Sequence, residues 1–482
     1  VKTTLAEVLK TAGVRNTGRY EGVGVSLIPR KHQISGLKDA LKNGSYGLWD
    51  DAGTGKSLVA YLFSATSLIH GKKVLGIMPP GLSEQYLENF LSGISMDLPA
   101  GGVVLNQPPA ERAELYKKWD KTGWPDVIII GYQMFLRCRK HLPKEEYRTV
   151  ICDEAHALKN PSSTTHKIVK EFVEGANTLY LTGSPSPTTP EDSFGLISLL
   201  TPHVYRSKRA FDRKHLIKTQ MNNFMVTTGF KNLEILSENL YLKARRVTKE
   251  EVLDLKKPNV IVKELRLDPP HRTLYKTLMT ERVLEVKGEL ITALESASLR
   301  RHAMCLSSFP GQYQDTKKKI KSRMLLVLDE LMDSINMKEN KLLIFANYVP
   351  TVESLQEYLI EFNPAVIYGG SNTEENRKKF INDDTCRVVV INPQAGGAGL
   401  DGFQHVCHNV LFFEPLPSPG MLDQCSSRLI RSGQKRVVNV YILNVVGTLF
   451  VRAHNVLLGR AEALRQTVIK AGDMLNELLG KE

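Results

Sequence analysis

Short apolar runs separated by longer amphipathic stretches set the rhythm of this chain. From Ile28 to about Leu200, the runs Tyr46-Gly47-Leu48-Trp49, Val74 to Met78, Val127 to Ile130, Val150 to Cys152 and Leu179 to Leu181 alternate with segments of helical periodicity. Strands buried on both faces of a parallel sheet read as continuous apolar runs of this kind. The rhythm returns at Lys341 to Phe345, Ala365 to Tyr368, Val388 to Ile391, Val410 to Phe413 and Val437 to Leu443. Two α/β lobes are therefore predicted. Between them, from Pro202 to Ser322, the pattern turns helical and basic, with Arg206, Lys208, Arg209, Arg213, Lys214, Lys218, Lys243, Arg245 and Arg246 crowding one part. The expected organisation is an N-terminal extension over 1–24, a first lobe over 25–202, a helical bridge with insertions over 203–322, and a second lobe with C-terminal helices over 323–482.

Composition changes this picture little, and charge changes it more. A chain of 482 residues allows about three domain-sized units, and a hydrophobic share of 42% is that of an ordinary globular protein. The net charge of +13 favours a polyanionic partner, of which nucleic acid is the commonest. Cysteines at 138, 152, 305, 386, 407 and 425 show no paired spacing, so neither a disulfide frame nor a zinc site is expected. No apolar run approaches the ~18 residues of a membrane span, and charged residues at Lys2, Glu7 and Lys10 interrupt any signal-peptide core. The expected location is the cytosol of a bacterial or phage-infected cell, or the nucleus of a eukaryote.

Candidate chemistry begins at Asp51-Ala52-Gly53-Thr54-Gly55-Lys56-Ser57, which lies between the first apolar run and the helical pattern of Leu58 to Ile69. A glycine turn between strand and helix, ending in Lys and a hydroxyl residue, is a phosphate cradle. Backbone N–H groups of the turn face the phosphates, Lys56 reaches the terminal ones, and Ser57 ligates Mg2+. Asp50 stands where the strict pattern has its first glycine. Further on, Asp153-Glu154-Ala155-His156 follows the run ending at Cys152, which places two carboxylates at the C-terminal end of a parallel strand, the edge where ligands bind. There Asp153 holds Mg2+ through its water shell and Glu154 orients or deprotonates the attacking water. Gln424, Arg428 and Arg431 fall at spacings of four and three, so on a helix they share one face. Gly396, Gly397 and Gly399 form a loop without bulk, where a nucleic-acid phosphate can approach the backbone.

Taken together and in order, these motifs resemble superfamily 2 helicases, and their details resemble the Snf2-like branch. The stretch Asp153 to Ser162, DEAHALKNPS, is similar to that branch's extended acidic segment, and Leu181-Thr182-Gly183-Ser184-Pro185 to its Leu-Thr-Gly-Thr-Pro motif. LKARRVTKEEV at 242–252 is similar to the bridge segment with paired arginines, and DQCSSRLIRSGQ at 423–434 to the Gln-x-x-x-Arg-x-x-Arg-x-Gly-Gln motif. Ser427, Ile430 and Ser432 depart from that last motif, and Asp401 replaces a usual Asn, which marks a divergent relative.

The resemblance implies two RecA-like parallel-sheet lobes in an α/β fold, with ATP and Mg2+ as cofactors and DNA as partner. It implies that Gln33, after Pro29, reads adenine, that Gln424 and Asp401 lie near the nucleotide, and that Arg428 and Arg431 reach across a cleft to the phosphates. An arginine in that role is worth on the order of a thousandfold in rate. DNA contacts are expected at Pro80, Gly81, Ser184, Arg206, Lys208, Arg209, Arg245, Arg246, Asn347, Gly396 and Gly397, with Lys317, Lys318 and Lys319 adding charge. The implied role is that of a compact motor that translocates on duplex and remodels branched DNA. Alternatives are a motor that strips proteins from DNA, an RNA helicase, and a non-hydrolysing DNA clamp.

Overall fold

The computed structural model describes residues 3–13, 23–221, 224–286, 289–292, 296–313, 322–395 and 400–468. The glycine loop at Gly396, Gly397 and Gly399 and the lysines 317–319 lie outside the described residues. The chain forms two compact units, Val1–Leu253 and Asp254–Glu462 being the body of each.

The first unit is built on β1 (Tyr46–Leu48), β2 (Val74–Met78), β3 (Gly102–Leu105), β4 (Val127–Gly131), β5 (Thr149–Cys152), β6 (Asn177–Leu181) and β7 (Ala244–Arg245). They pair in the order β7-β1-β6-β5-β2-β4-β3, parallel throughout. All five residues of β2 and of β4 are buried. The reason is that the sheet is covered on both faces: Leu75, Ile77, Ile128 and Ile130 enter one apolar cluster, and Val74, Met78, Val127 and Ile129 the opposite one. Helix Lys56–Ile69 lies in the second cluster and buries every residue from Leu58 to Ser67. The N-terminal helix Leu5–Thr11 packs Leu5, Val8 and Leu9 into the same cluster.

The second unit repeats the plan with β8 (Asn259–Arg266), β9 (Leu342–Phe345), β10 (Ala365–Ile367), β11 (Val388–Ile391), β12 (Asn409–Phe412) and β13 (Asn439–Val446). Their order is β8-β13-β12-β9-β11-β10, again parallel throughout. The expected strands thus appear within three residues of their ends.

The segment 203–322 contains the expected helices, Lys208–His215, Leu233–Tyr241, Pro269–Glu281 and Ser296–Ser308 among them, together with strands. It divides between the two units: β7 extends the first sheet beside β1, and β8 pairs with β13 over eight positions in the second. Strand pairing overrides the helical, charged character of the sequence at these two places. No helix among the described residues is long and apolar enough to cross a membrane.

Candidate functional site

In a parallel sheet, loops at the carboxyl edge carry the ligand chemistry. Leaving β1, the chain turns sharply through Gly53 and Gly55, both at φ 86°, and enters helix Lys56–Ile69. That left-handed backbone is one that glycine adopts without strain. At Gly55 a side chain is excluded twice over, since a Cβ would lie 2.3 Å from Gln33 Nε2. Lys56 folds back over the loop, its Nζ donating to the carbonyls of Asp50 at 2.5 Å and Asp51 at 3.0 Å. The Thr54 hydroxyl donates to the carbonyl of Asp51, tightening the turn.

Gln33 is buried, and its amide is already engaged by this loop. Nε2 donates to the carbonyls of Thr54 and Gly55 at 3.2 and 3.1 Å, while Oε1 accepts from the backbone N–H of Arg30. The structure therefore places Gln33 as a strut between the start of helix Lys31–Asn43 and the phosphate loop. Its neighbour His32 makes a parallel contact, Nε2 to the Thr54 carbonyl at 2.9 Å, which sequence reasoning missed.

Beyond β5, Asp153 and Glu154 stand at the same sheet edge. Burial, and then the adjacent Glu154 carboxylate, push the Asp153 carboxyl up to about 6, while Lys56 pulls it back. Lys56 and Asp153 therefore share one electrostatic environment. The chemistry of these groups fits Mg2+: a half-buried acid, its carboxyl held up by burial and the neighbouring Glu154 carboxylate, and a helix-start hydroxyl at Ser57 offer hard oxygen donors, with nucleotide and water left to complete the shell. Glu154 itself takes a left-handed backbone at φ 49°, rare for a residue with a side chain and a form of strain that collects at functional sites. Its carboxylate meets His156 Nδ1 at 3.1 Å, and the same nitrogen lies 3.3 Å from the Thr182 hydroxyl oxygen. That oxygen in turn accepts from the Ser184 N–H. A short polar chain thus links the acid pair to the loop holding Ser184.

In the second unit, Asp401 and Arg431 form an ion pair, and Arg377 donates to the Asp401 carbonyl. Gln424, Arg428 and Arg431 do not share one helix face. The helix Pro419–Ser426 stops before either arginine, because the Ser426 and Ser427 hydroxyls bond back to the carbonyls of Leu422 and Gln424 and the chain tightens into turns. Asn347 follows β9, its N–H donating to Glu414, a fully buried carboxylate. Glu414 also accepts from the Tyr348 N–H and from the hydroxyls of Ser308 and Thr351. Burial raises its carboxyl to about 7.

The expected DNA contacts fall into two groups. Pro80 and Gly81 are exposed at the start of helix Pro80–Gly93, open space surrounds Gly81, and Arg206 and Arg209 are exposed. Ser184 is half-buried at the carboxyl edge. Lys208, by contrast, is committed to Glu191 and Asp212 and lies over the rings of Phe194 and Phe211. Arg245 and Arg246 are corrections: instead of facing a nucleic acid they turn inward, onto Asp50 at 2.9 Å and Asp51 at 2.6 Å. The adjacent acids at the head of the loop were the signal that these arginines had a partner inside the fold. Among the described residues no group of His, Cys, Asp and Glu could alone hold a metal ion.

A family model for the SNF2-related domain matches residues 44–327, more than half of the chain. Among curated proteins, the chain is 23% identical over 509 residues to an uncharacterized ATP-dependent helicase, YqhH, of Bacillus subtilis, covering 98% of this chain and 86% of that one. It is 24% identical over 479 residues to an uncharacterized ATP-dependent helicase of Mycoplasma pneumoniae, and 25% identical over 446 residues to the ISWI chromatin-remodeling complex ATPase ISW1 of Saccharomyces cerevisiae. It covers 43% and 38% of those two proteins, less than half of each. Among solved structures, the Sulfolobus solfataricus SWI2/SNF2 ATPase core in complex with dsDNA aligns over 95% of this chain and 98% of that one, at 21% identity and a TM-score of 0.42.

Proposed function

The chain belongs to the SNF2-related domain family, and from that footing we propose that it hydrolyses ATP to translocate on duplex DNA and to remodel branched DNA by regressing forks or migrating junctions. The observation that carries the reading is the first unit's sheet edge, where a glycine-turned loop bearing Lys56 shares its field with the Asp153–Glu154 pair. Phosphoryl transfer asks little covalent chemistry of a protein and much positioning and charge stabilisation. In this reading the loop N–H groups and Lys56 hold the phosphates, Asp153 and Ser57 hold Mg2+, and Glu154, oriented by His156, activates water. Arg428 and Arg431 supply charge to the transition state.

Exposed Arg206 and Arg209, with Pro80, Gly81 and Ser184 at the carboxyl edge, are the proposed grips on DNA phosphates. Such grips ignore base identity and weaken steeply with salt. The polar chain from Glu154 through His156 and Thr182 to Ser184 gives a physical route by which a bound strand alters the acid pair. The names of the relatives, helicases and a chromatin-remodelling ATPase, support an ATP-driven motor and leave the DNA structure open.

The test is to measure ATP turnover with single-stranded DNA, linear duplex, forks, four-way junctions and RNA side by side. Forks and junctions stimulating more than linear duplex of equal length supports the branched-DNA role. Equal stimulation by all duplexes removes that role and keeps the motor. Stimulation by RNA alone overturns both.

A further inference from the structure

Two acids and two arginines are buried at the root of the phosphate loop, beside the buried Lys249, and the proposed hydrolysis uses none of them. Asp50 and Asp51 are each about 1% exposed, immediately before the glycine turn. Carboxylates there have the wrong sign for a loop that must receive a triphosphate, and burial leaves their charge weakly screened. Each is answered by one arginine. Arg245 reaches Asp50 at 2.9 Å and Arg246 reaches Asp51 at 2.6 Å, with arginine side chains only 13% and 7% exposed.

The arginines are themselves held in place. Arg246 donates to the carbonyls of Trp49 and Gly183. Arg245 lies against Gly36, where a Cβ would come within 2.6 Å of its guanidinium. Their backbone extends the sheet into the loop: the N–H groups of Gly47, Trp49 and Asp51 donate to the carbonyls of Lys243, Arg245 and Val247, and the Lys249 N–H closes on the Asp51 carboxylate. Strand β7 thus fixes both the path and the charge of a loop whose residues precede it by almost 200 positions.

We propose that Arg245 and Arg246 are positioning residues for nucleotide binding, which neutralise Asp50 and Asp51 so that the phosphate loop can accept a polyanion. The proposal rests on the reading of this loop as an ATP site. Its signature is charge dependence. Without Arg246, an Asp51 carboxylate that has lost its guanidinium repels ATP more than ADP, whereas a loop that has merely lost its shape binds both poorly.

The experiment titrates fluorescent ATP and ADP analogues into the parent chain, Arg246→Gln, Arg246→Lys, Asp51→Asn and the Asp51→Asn/Arg246→Gln double variant, with thermal unfolding of each in the absence of nucleotide. Arg246→Gln is expected to weaken ATP at least ~10-fold and ADP less, with Arg246→Lys recovering much of the loss. The double variant is expected to bind ATP at least ~5-fold more tightly than Arg246→Gln alone, the non-additivity that marks a direct pair. A double variant no better than the single, or equal losses for ATP and ADP, overturns the proposal. Should Arg246→Gln fail to fold, the double variant is compared with Asp51→Asn, which keeps the cation and must bind ATP at least as tightly; weaker binding overturns it. If the parent chain binds no ATP, the reading of the site fails on its own. Melting temperatures then still decide the pairing: non-additive losses support it, and additive losses overturn it.

Discussion

The two units place their charges in opposite ways. In the first, the acids beside the phosphate loop are sealed from solvent and each is matched to an arginine, Arg245 at the end of strand β7 or Arg246 just after it. In the second, Arg431, its side chain 19% exposed, is paired with Asp401, whose side chain is 48% exposed. Magnitude separates them. Removing one partner of a buried pair strands a charge and costs about 3–5 kcal/mol, whereas an exposed pair is worth about 0–1 kcal/mol. Releasing Arg431 leaves behind a half-exposed carboxylate that water can solvate, whereas releasing Arg246 strands Asp51 in the interior. The difference separates an arginine built into the first unit's loop from one whose acid partner faces water.

The largest effect should come from the residues that touch the reacting groups. Lys56→Ala and Glu154→Gln are expected to lower ATP turnover by about a thousandfold or more, the second with nucleotide binding retained. Turnover within about tenfold of the parent in either would mean the site lies elsewhere. Next, Arg431→Ala is expected to lower turnover by about a hundredfold or more while shifting stability by less than about 1 kcal/mol, and Arg246→Ala to destabilise by about 3 kcal/mol. Denaturant unfolding beside steady-state kinetics checks both, and matching stability losses for the two would erase the contrast between the units.

A third carboxylate sharpens the contrast. Glu414 is as buried as Asp50, yet it accepts from the neutral hydroxyls of Ser308 and Thr351 and the N–H groups of Asn347 and Tyr348. Its carboxyl is raised in the fold from 4.5 to about 7, so the folded state holds a proton that the unfolded chain has released. The stabilisation is full below about pH 4.5 and is lost as pH rises through about 7. Stability should thus fall by about 1–3 kcal/mol between pH 5 and 8, and Glu414→Gln should flatten that dependence. Chemical unfolding at several pH values reads it, and an unchanged slope in the variant would refute the assignment.

The smallest effect concerns the exposed cations. Reversing Arg206 and Arg209 to Glu should leave turnover without DNA unchanged, weaken duplex binding, and reduce the dependence of log affinity on log salt by about two. Binding curves at several salt concentrations test this, and unaltered affinity would remove both residues from the interface.

What the sequence disclosed follows from what it encodes locally. Strands such as Val127–Gly131 and Val388–Ile391 are apolar without interruption because the sheet hides both faces, and that signal is legible at a glance. Gly102–Leu105 begins at an exposed sheet edge, Ala244–Arg245 is two residues long and ends in a charge, and Asn259–Arg266 is buried only at Leu265, so none carries the buried-strand pattern. The phosphate loop was legible because glycine, lysine and serine there serve backbone geometry and charge within a few residues. Arg245 and Arg246 were misplaced for the converse reason: an arginine's sequence records its charge and not its direction, and Asp50 lies 195 residues away from Arg245. Arg428 and Arg431 were placed on a helix by their spacing, which does not report that Ser426 and Ser427 end it.

A motor on DNA fuelled at the Lys56 loop needs both the lysine and the duplex for turnover. ATP turnover of the parent chain and of Lys56→Ala is followed as linear duplex DNA is titrated in at low salt. The account predicts turnover that rises at least ~10-fold and saturates with duplex for the parent, and none above background for the variant. Turnover indifferent to DNA, or preserved in Lys56→Ala, would contradict it.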